Sequence, residues 1–278
     1  MPGFRSYDGV RLAYTQVGEG PPLVCLPGGP GRASAYLEDL GGLSATCTLV
    51  LLDARATGHS EVPPDPASLR YDRLADDVEA LRVQLGLPVL DLLGHSAGAL
   101  VAQAYAARYP VHRLVLVTPI DLLQGGTRAD VSALRAARSH EPWYADAAEA
   151  VEAMADAPPA QQQALMRASR PFLYGRWDER TQAHALTADH QSSRRAELGF
   201  AAGAEQVDVP ALLAQLGQVQ SPVLVVGGER DAVTGVEAVH AVAASFPDAR
   251  TVLLPGAGHF PWIDEPDAFR EAVAEFLA

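Results

Sequence analysis

One short segment of glycine and small residues around a serine constrains the fold of this chain most strongly. Gly94 to Gly98 reads G-x-S-x-G; the apolar run Val89 to Leu93 precedes it and the small-residue stretch Ala99 to Arg108 follows it. A strand, a sharp turn and a helix in this order hold the serine in a strained conformation, so its neighbours must be small. The helix also directs free N–H groups toward that serine. The segment predicts Ser96 as a nucleophile, with a simple turn as the alternative.

The rest of the chain alternates apolar runs with helical spacing. An Asp-Gly hairpin is predicted near the start of the chain, at residues 4–17. Further strands are predicted at Leu23 to Leu26, Thr48 to Leu52, Val89 to Leu93, Arg113 to Val117, Val223 to Val226 and Thr251 to Leu254. Helices are predicted at Tyr71 to Leu85, Val236 to Phe246 and Pro266 to Leu277. This alternation indicates a mostly parallel sheet with helices on both faces.

The segment 120–219 interrupts this alternation. It is rich in Ala, Gln, Arg and acidic residues and has no strand-like run, so we interpret it as a helical insertion. The predicted organisation is therefore an α/β core from residues 1–119 and 220–278, with residues 120–219 as a helical cap. A length of 278 residues suits one large α/β domain with such an insertion.

Composition excludes several functions. The net charge of −13 disfavours binding to nucleic acids and anionic membranes, which are themselves negatively charged. All 21 basic residues are arginines, so lysine chemistry is excluded. Cys25 and Cys47 lie in apolar segments and are expected to be buried reduced thiols. With no secretion signature in residues 1–8 and no membrane-length apolar segment, the expected location is the cytoplasm.

Two further strand ends carry the groups that a serine nucleophile needs. Asp231 follows the strand that ends at Val226, and His259 follows the strand that ends at Leu254, within a Gly-x-Gly-His turn. An imidazole takes the serine proton, and a carboxylate holds the imidazole in the correct tautomer. Glu229 is the competing carboxylate. The rival histidines considered are His59, His95, His112, His140, His184 and His240.

A glycine-rich loop, Gly28 to Gly31, follows the strand that ends at Leu26. It lacks the Lys-Ser/Thr of a phosphate-binding loop and the spacing of a dinucleotide site. We interpret it as a source of backbone donors for an oxyanion, with Gly29 as one donor and Ala97 as the other. No cluster of His, Cys or acidic residues has metal-ligand spacing, so neither a metal nor a cofactor is expected.

These motifs together resemble the α/β-hydrolase superfamily, and within it the proline iminopeptidase (prolyl aminopeptidase) branch. The resemblance covers residues 1–119 and 220–278 and is much weaker in the cap. It rests on four motifs: Gly28-Gly29-Pro30-Gly31, Asp53 to Ser60, the Gly94 to Gly98 segment, and the turns with Asp231 and His259. Three positions depart from the family pattern: Pro27 replaces a histidine, Ala56 a glycine, and Ala97 the tryptophan of many aminopeptidases.

The resemblance also implies roles for residues outside the triad. Family members bind the free amino group of the substrate with acidic cap residues, which makes the segment Trp177 to Glu179, including Asp178, a candidate, with Gly28 lining the site. Glu197 and Glu205 are alternatives, and ordinary solvated carboxylates are the competing interpretation. Asp53 and Arg55 are expected to form a buried structural pair that braces the loops.

The leading hypothesis is a serine hydrolase that forms an acyl-enzyme with a small molecule or short peptide. The favoured substrates carry an N-terminal residue such as proline, and a carboxylester is the nearest rival. A thioesterase, a lyase or cyclase on the same scaffold, and a non-catalytic binding protein are the other hypotheses. The oligomeric state is left open.

Overall fold

An eight-stranded sheet forms the centre of the structure, a computed structural model that describes residues 2–126 and 129–278. The strands are β1 (Gly3–Arg5), β2 (Arg11–Val17), β3 (Pro22–Leu26), β4 (Thr48–Leu52), β5 (Leu90–His95), β6 (Val111–Val117), β7 (Val223–Gly228) and β8 (Ala249–Leu254). Their order across the sheet is β1-β2-β4-β3-β5-β6-β7-β8. The hairpin β1–β2 and the pair β2–β4 are antiparallel and the remaining pairs are parallel, which confirms the predicted mostly parallel sheet.

Helices cover both faces of this sheet. They are α1 (Tyr71–Gln84), α2 (Ala97–Ala106), α3 (Val131–Ala136), α4 (Tyr144–Met154), α5 (Pro159–Ser169), α6 (Glu179–Gln191), α7 (Arg194–Phe200), α8 (Val209–Leu216), α9 (Gly235–Ala243), α10 (Pro261–Asp264) and α11 (Pro266–Leu277). Short 3-10 turns lie at Ser34–Leu37, Leu43–Ala45, Pro66–Leu69, Arg170–Leu173 and Ala204–Gln206. None of the helices in the described ranges has the length and apolarity needed to cross a membrane.

The buried strands separate two apolar cores, because successive residues of a strand point to opposite faces. In β3, Val24 and Leu26 pack in the core beneath α1 and α2, whereas Leu23 and Cys25 pack in the core that contains Trp262. Cys25 and Cys47 are both buried free thiols, as the sequence predicts.

The order of the strands creates a crevice in the middle of the sheet. β3 lies between β4 and β5, so the chain leaves β3 toward one edge of the sheet and later returns on its other side. Ligands of open α/β sheets bind at such a reversal, beyond the carboxyl ends of the strands. Leu26 at the end of β3 is level with Gly94 near the end of β5. The Gly28 loop and Ser96 therefore emerge side by side.

Between β6 and β7 the described residues form the helices α3 to α8 and contain no strand. These helices agree with the helical character that the sequence predicts for residues 120–219. An isolated antiparallel bridge between Arg32 and Ser192 connects this region to the loop after β3. The division into a core and a cap at residues 119/120 and 219/220 stays a prediction.

The expected pairing of Asp53 with Arg55 is wrong. Arg55 is completely buried, and it makes a bidentate ion pair with Asp77 of α1, with N–O distances of 2.7 Å and 2.6 Å. It also pairs with Asp8 of the hairpin turn. The Asp53 carboxylate instead accepts hydrogen bonds from Ser34 and from the amide of His59. Arg55 thus joins the hairpin to α1, and its partners are distant in sequence.

Replacing Asp77 by alanine is expected to lower the free energy of unfolding by about 3–5 kcal/mol, because it leaves the buried Arg55 charge with weaker partners. Urea unfolding of the variant and of the wild type measures the difference. Glu275→Ala is the matched control: its carboxylate pairs with Arg250 at 2.9 Å on the surface, so its loss is expected to cost about 1 kcal/mol or less. Equal losses in the two variants would contradict a structural role for the buried pair.

Candidate active site

Ser96 occupies a strained turn between β5 and α2. Its backbone has φ 54° and ψ −117°, a region that residues other than glycine rarely adopt. The Ser96 amide donates to the carbonyl of Val117, at 2.9 Å, which fixes the turn against β6. A Cβ on Gly94 would lie 2.5 Å from the Gly98 carbonyl oxygen, and one on Gly98 would lie 2.3 Å from that of Leu26. The two glycines of the motif are therefore required by packing.

Asp231 and His259 meet at the carboxyl ends of β7 and β8. The Nδ1 atom of His259 lies 2.9 Å from Oδ2 of Asp231, and both side chains are buried. The Asp231 carboxylate also accepts hydrogen bonds from the amides of Val233 and Thr234 and from the Thr234 hydroxyl. Glu229, the rival carboxylate, is exposed. The structure thus brings together the acid and the base that the sequence favours.

The protonation of this pair follows from its surroundings. Burial raises the pKa of the Asp231 carboxyl, but His259 and the hydrogen bonds from Thr234 and Val233 more than offset this, so the net pKa lies below its usual value. An ionised Asp231 accepts a hydrogen bond from Nδ1–H of His259, and in the neutral ring this places the lone pair on Nε2. This is the tautomer that a general base requires.

The side chain of His95 links the Ser96 turn to the main chain of His259. His95, the residue before Ser96, lies 2.9 Å through its Nε2 atom from the carbonyl oxygen of His259. The rings of His95 and His259 have centroids 4.9 Å apart. Ser96, Asp231 and His259 therefore follow β5, β7 and β8 at the same edge of the sheet, and His95 links the Ser96 turn to the His259 turn.

The loop after β3 lies against the serine. A Cβ on Gly28 would be 2.8 Å from Cβ of Ser96, so the loop can approach this closely only with glycine. Within the described ranges the amides of Gly29 and Ala97 have no protein acceptor. The Gly28 amide, in contrast, already donates to the Tyr36 hydroxyl. Gly29 and Ala97 thus keep free donors beside Ser96, and Gly28 does not.

A small cavity of about 30 Å³ lies beside this loop. Its wall consists of loop residues, apolar side chains from β3, β4, α1, α2 and α7, and the Arg55–Asp77 pair: Leu26, Pro27, Gly28, Pro30, Gly31, Arg32, Leu52, Ala54, Arg55, Leu69, Leu74, Asp77, Val78, Val101, Ala196 and Phe200. Ser96 and His259 do not line it. The space is comparable to that of about two water molecules.

The cap candidates have local structural roles. The Asp178 carboxylate caps α6, accepting from the Thr181 amide at 3.0 Å, and this hydrogen bond holds the pKa of Asp178 below its usual value. Asp178 also pairs with Arg176. Trp177 packs against Tyr174, and Glu179 is exposed at the start of α6. Their role in substrate binding stays a prediction.

Asp264 is a buried acidic residue near the site that sequence reasoning missed. Its Oδ2 atom accepts hydrogen bonds from the amides of Gly175, at 2.9 Å, and Gly258, at 2.8 Å. The His259 amide donates to the Leu173 carbonyl at 2.8 Å. Segment 173–176 is thereby bound to the turn that carries His259. The available signal is an acidic residue directly after the apolar run Phe260 to Ile263.

Burial raises the pKa of Asp264 to about 6 from its usual 3.8, although both amides favour the ionised form. Because the folded-state pKa is the higher one, ionising Asp264 costs stability as the pH rises from about 4 to about 6. Asp264→Asn keeps an acceptor and removes this titration. Between pH 4.5 and 7.5 the wild type is expected to lose about 2 kcal/mol relative to the variant, as measured by urea unfolding. Glu265→Gln is the control, and its stability should change with pH as that of the wild type does. If the stability of Asp264→Asn also changed with pH in parallel with the wild type, the titration of Asp264 would not account for the loss.

Comparison with known proteins agrees with this fold. Residues 21–266 match the model of the family described as alpha/beta hydrolase fold. The chain is 31% identical to a pimeloyl-[acyl-carrier protein] methyl ester esterase of Chromobacterium violaceum, over 96% of this chain and 98% of the relative. It is 27% identical to a proline iminopeptidase of Lactiplantibacillus plantarum, over 98% of each chain.

The structural comparison gives the same result. A hydrolase from Pseudomonas aeruginosa superimposes with a TM-score of 0.70 at 29% identity, covering 100% of this chain and 98% of its own. An esterase from Exiguobacterium antarcticum, at 18% identity, shares the fold with a TM-score of 0.72 over 99% and 98% of the two chains. The protein therefore belongs to the α/β-hydrolase family, and it is a hydrolase.

Proposed function

We propose that this protein is a serine hydrolase that cleaves small carboxylic esters through an acyl-enzyme on Ser96. The observation that carries the proposal is the buried Asp231–His259 hydrogen bond of 2.9 Å beside a serine with φ 54°. A carboxylate, an imidazole and a serine in this arrangement are the three groups that acyl transfer needs.

In the proposed reaction, the Ser96 hydroxyl attacks the ester carbonyl carbon while Nε2 of His259 takes its proton. Asp231 stabilises the imidazolium, and the amides of Gly29 and Ala97 donate to the oxyanion. As the tetrahedral intermediate collapses, His259 protonates the leaving alcohol. A water molecule, deprotonated by His259, then attacks the acyl-enzyme, which releases the acid and restores Ser96.

A buried arginine near the site favours an ester over an N-terminal peptide. Arg32 is buried and, within the described ranges, has no carboxylate partner; its guanidinium lies 4.2 Å from the Tyr36 ring centroid and 5.7 Å from that of Phe260, the neighbour of His259. A fixed positive charge there opposes the binding of a substrate ammonium group. Asp178, one of the acidic candidates for binding that group, already caps α6.

The size of the cavity suggests short substrates. The cavity beside the Gly28 to Gly31 loop has room for only about two water molecules, and its wall includes the Arg55–Asp77 pair, so it leaves little space for a long acyl chain. One relative is named a methyl ester esterase, which agrees with an ester substrate. Proline iminopeptidase activity is the second candidate, because the Gly28 to Gly31 loop is typical of that branch. In addition, a relative that aligns with 98% of this chain is named a proline iminopeptidase.

Kinetics with matched chromogenic substrates test the proposal. We expect kcat/KM to be higher for p-nitrophenyl acetate and butyrate than for the octanoate ester and for proline p-nitroanilide. A fluorophosphonate probe should label Ser96. Preferred cleavage of the anilide would favour the peptidase, and turnover without labelling of Ser96 would favour another chemistry on the same fold. The cytoplasmic location stays a prediction.

A further inference from the structure

A buried chain of hydrogen bonds connects the two sides of the proposed site. The Gly28 amide donates to the Tyr36 hydroxyl at 2.6 Å, and this hydroxyl lies 2.6 Å from Nδ1 of His95. Nε2 of His95 lies 2.9 Å from the His259 carbonyl oxygen, which also accepts the Thr118 hydroxyl at 3.0 Å. One end of this chain is the loop with the oxyanion donor, and the other is the main chain of the general base.

The direction of each hydrogen bond is determined by its ends. An amide can only donate and a carbonyl can only accept. The Tyr36 hydroxyl therefore accepts from Gly28 and donates its own proton to Nδ1 of His95, and Nε2–H of His95 donates to His259. This requires a neutral His95. Burial, followed by the nearby His259, lowers the pKa of His95 well below its usual value, which keeps the ring neutral.

Aromatic packing holds both side chains in place. The His95 ring meets Trp262 edge-on, with centroids 4.8 Å apart. The Tyr36 ring lies between the Arg32 guanidinium at 4.2 Å and the Phe260 ring at 5.9 Å. Both residues are at least 99% buried. Neither ring is free to rotate away, so the chain of hydrogen bonds has a fixed length.

We propose that Tyr36 and His95 are positioning residues that hold the Gly28–Gly31 loop and the main chain of His259 at a set distance across Ser96. The inference rests on the proposed function. Acyl transfer needs the oxyanion donors and the imidazole to be placed correctly at the same moment, and a misplacement of about 1 Å costs about 100-fold in rate. A rigid connection between the two groups meets this need without contact with the substrate.

Tyr36→Phe tests the proposal, because it removes one hydroxyl and keeps the ring. We expect kcat for p-nitrophenyl acetate to fall about 10–100-fold with KM within about threefold, and the rate of fluorophosphonate labelling of Ser96 to fall in parallel. Tyr105→Phe is the matched control. Tyr105 is fully buried and its hydroxyl donates to Glu79 at 3.0 Å, away from the site. That variant should lose similar stability and keep the wild-type kcat.

A double-mutant cycle with His95→Phe tests whether the two residues act together. If they form one connection, kcat of the double variant should equal that of the slower single variant, rather than the product of both losses. A wild-type kcat in folded Tyr36→Phe, an equal loss in Tyr105→Phe, or additive losses in the cycle would overturn the inference and leave the serine mechanism intact. Absence of Ser96-dependent turnover in the wild type would overturn both.

Discussion

Replacing Ser96 by alanine is expected to lower kcat for ester hydrolysis by about 10⁴–10⁶-fold. The variant has no oxygen nucleophile for the acyl-enzyme, whereas Asp231, His259 and the free amides of Gly29 and Ala97 stay in place. The residual rate would come from the oxyanion donors and from substrate binding alone. Hydrolysis of p-nitrophenyl acetate, followed at high enzyme concentration, measures the loss, and circular dichroism verifies that the variant is folded.

Ser60 provides a matched control for this prediction. It lies in the sequence Gly58-His59-Ser60, which resembles half of the Ser96 motif, and its hydroxyl is hydrogen-bonded to the Asp53 carbonyl at 2.7 Å and to the Ala13 amide at 2.9 Å. Ser60→Ala should therefore lower the free energy of unfolding by about 1–3 kcal/mol and leave kcat unchanged. Wild-type turnover in Ser96→Ala, or loss of turnover in folded Ser60→Ala, would refute the assignment of the nucleophile.

Replacing Asp231 by asparagine is expected to lower kcat by about 10⁴-fold, with little change in KM. The asparagine side chain can offer an N–H group to His259, which stabilises the tautomer with its proton on Nε2. Such a ring has no lone pair for the Ser96 proton. The amide also carries no charge to stabilise the imidazolium. The Asp231 pKa lies below its usual value, so the wild-type carboxylate is ionised at neutral pH and makes both contributions.

The control for Asp231 lies two residues earlier in the chain. Glu229 is exposed after the same strand, so Glu229→Gln should keep the wild-type kcat between pH 6 and 9. Substrates and folding controls are those of the Ser96 experiment. If Glu229→Gln lost activity and Asp231→Asn retained it, the acid would have been assigned to the wrong carboxylate.

The accuracy of the sequence-based predictions depends on whether a contact is local. The turns with Ser96, Asp231 and His259 each follow an apolar strand within a few residues, so turn chemistry beside a strand end is enough to predict these turns, whereas the catalytic roles of the three residues stay predictions. The parallel sheet followed from the same alternation. The last helix was predicted with the bounds that the structure has, Pro266–Leu277.

Contacts between distant segments could not be predicted in this way. Nearness in the sequence predicts Asp53 as the partner of Arg55, but Arg55 binds Asp77 in α1, which lies 22 positions further along the chain. No sequence pattern points to a role for Tyr36, since Gly28 and His95 come into contact with it only once β3 and β5 have paired. The sequence predicts that residues 120–219 are helical, but not the bounds of the helices or their places relative to Ser96, because periodicity carries no information about which surfaces meet.

The attachment of residues 173–176 to the His259 turn has a consequence for chimeric enzymes. A Cβ on Gly175 would lie 1.7 Å from the Gly256 carbonyl oxygen, so no larger residue fits there. Arg230 and Arg138 donate to the carbonyls of Gly175 and Tyr174. An exchange of the whole segment 120–219 with that of another hydrolase would remove groups that hold the His259 turn in place. A functional graft has to retain this tetrapeptide from the recipient and join the foreign helices on either side of it.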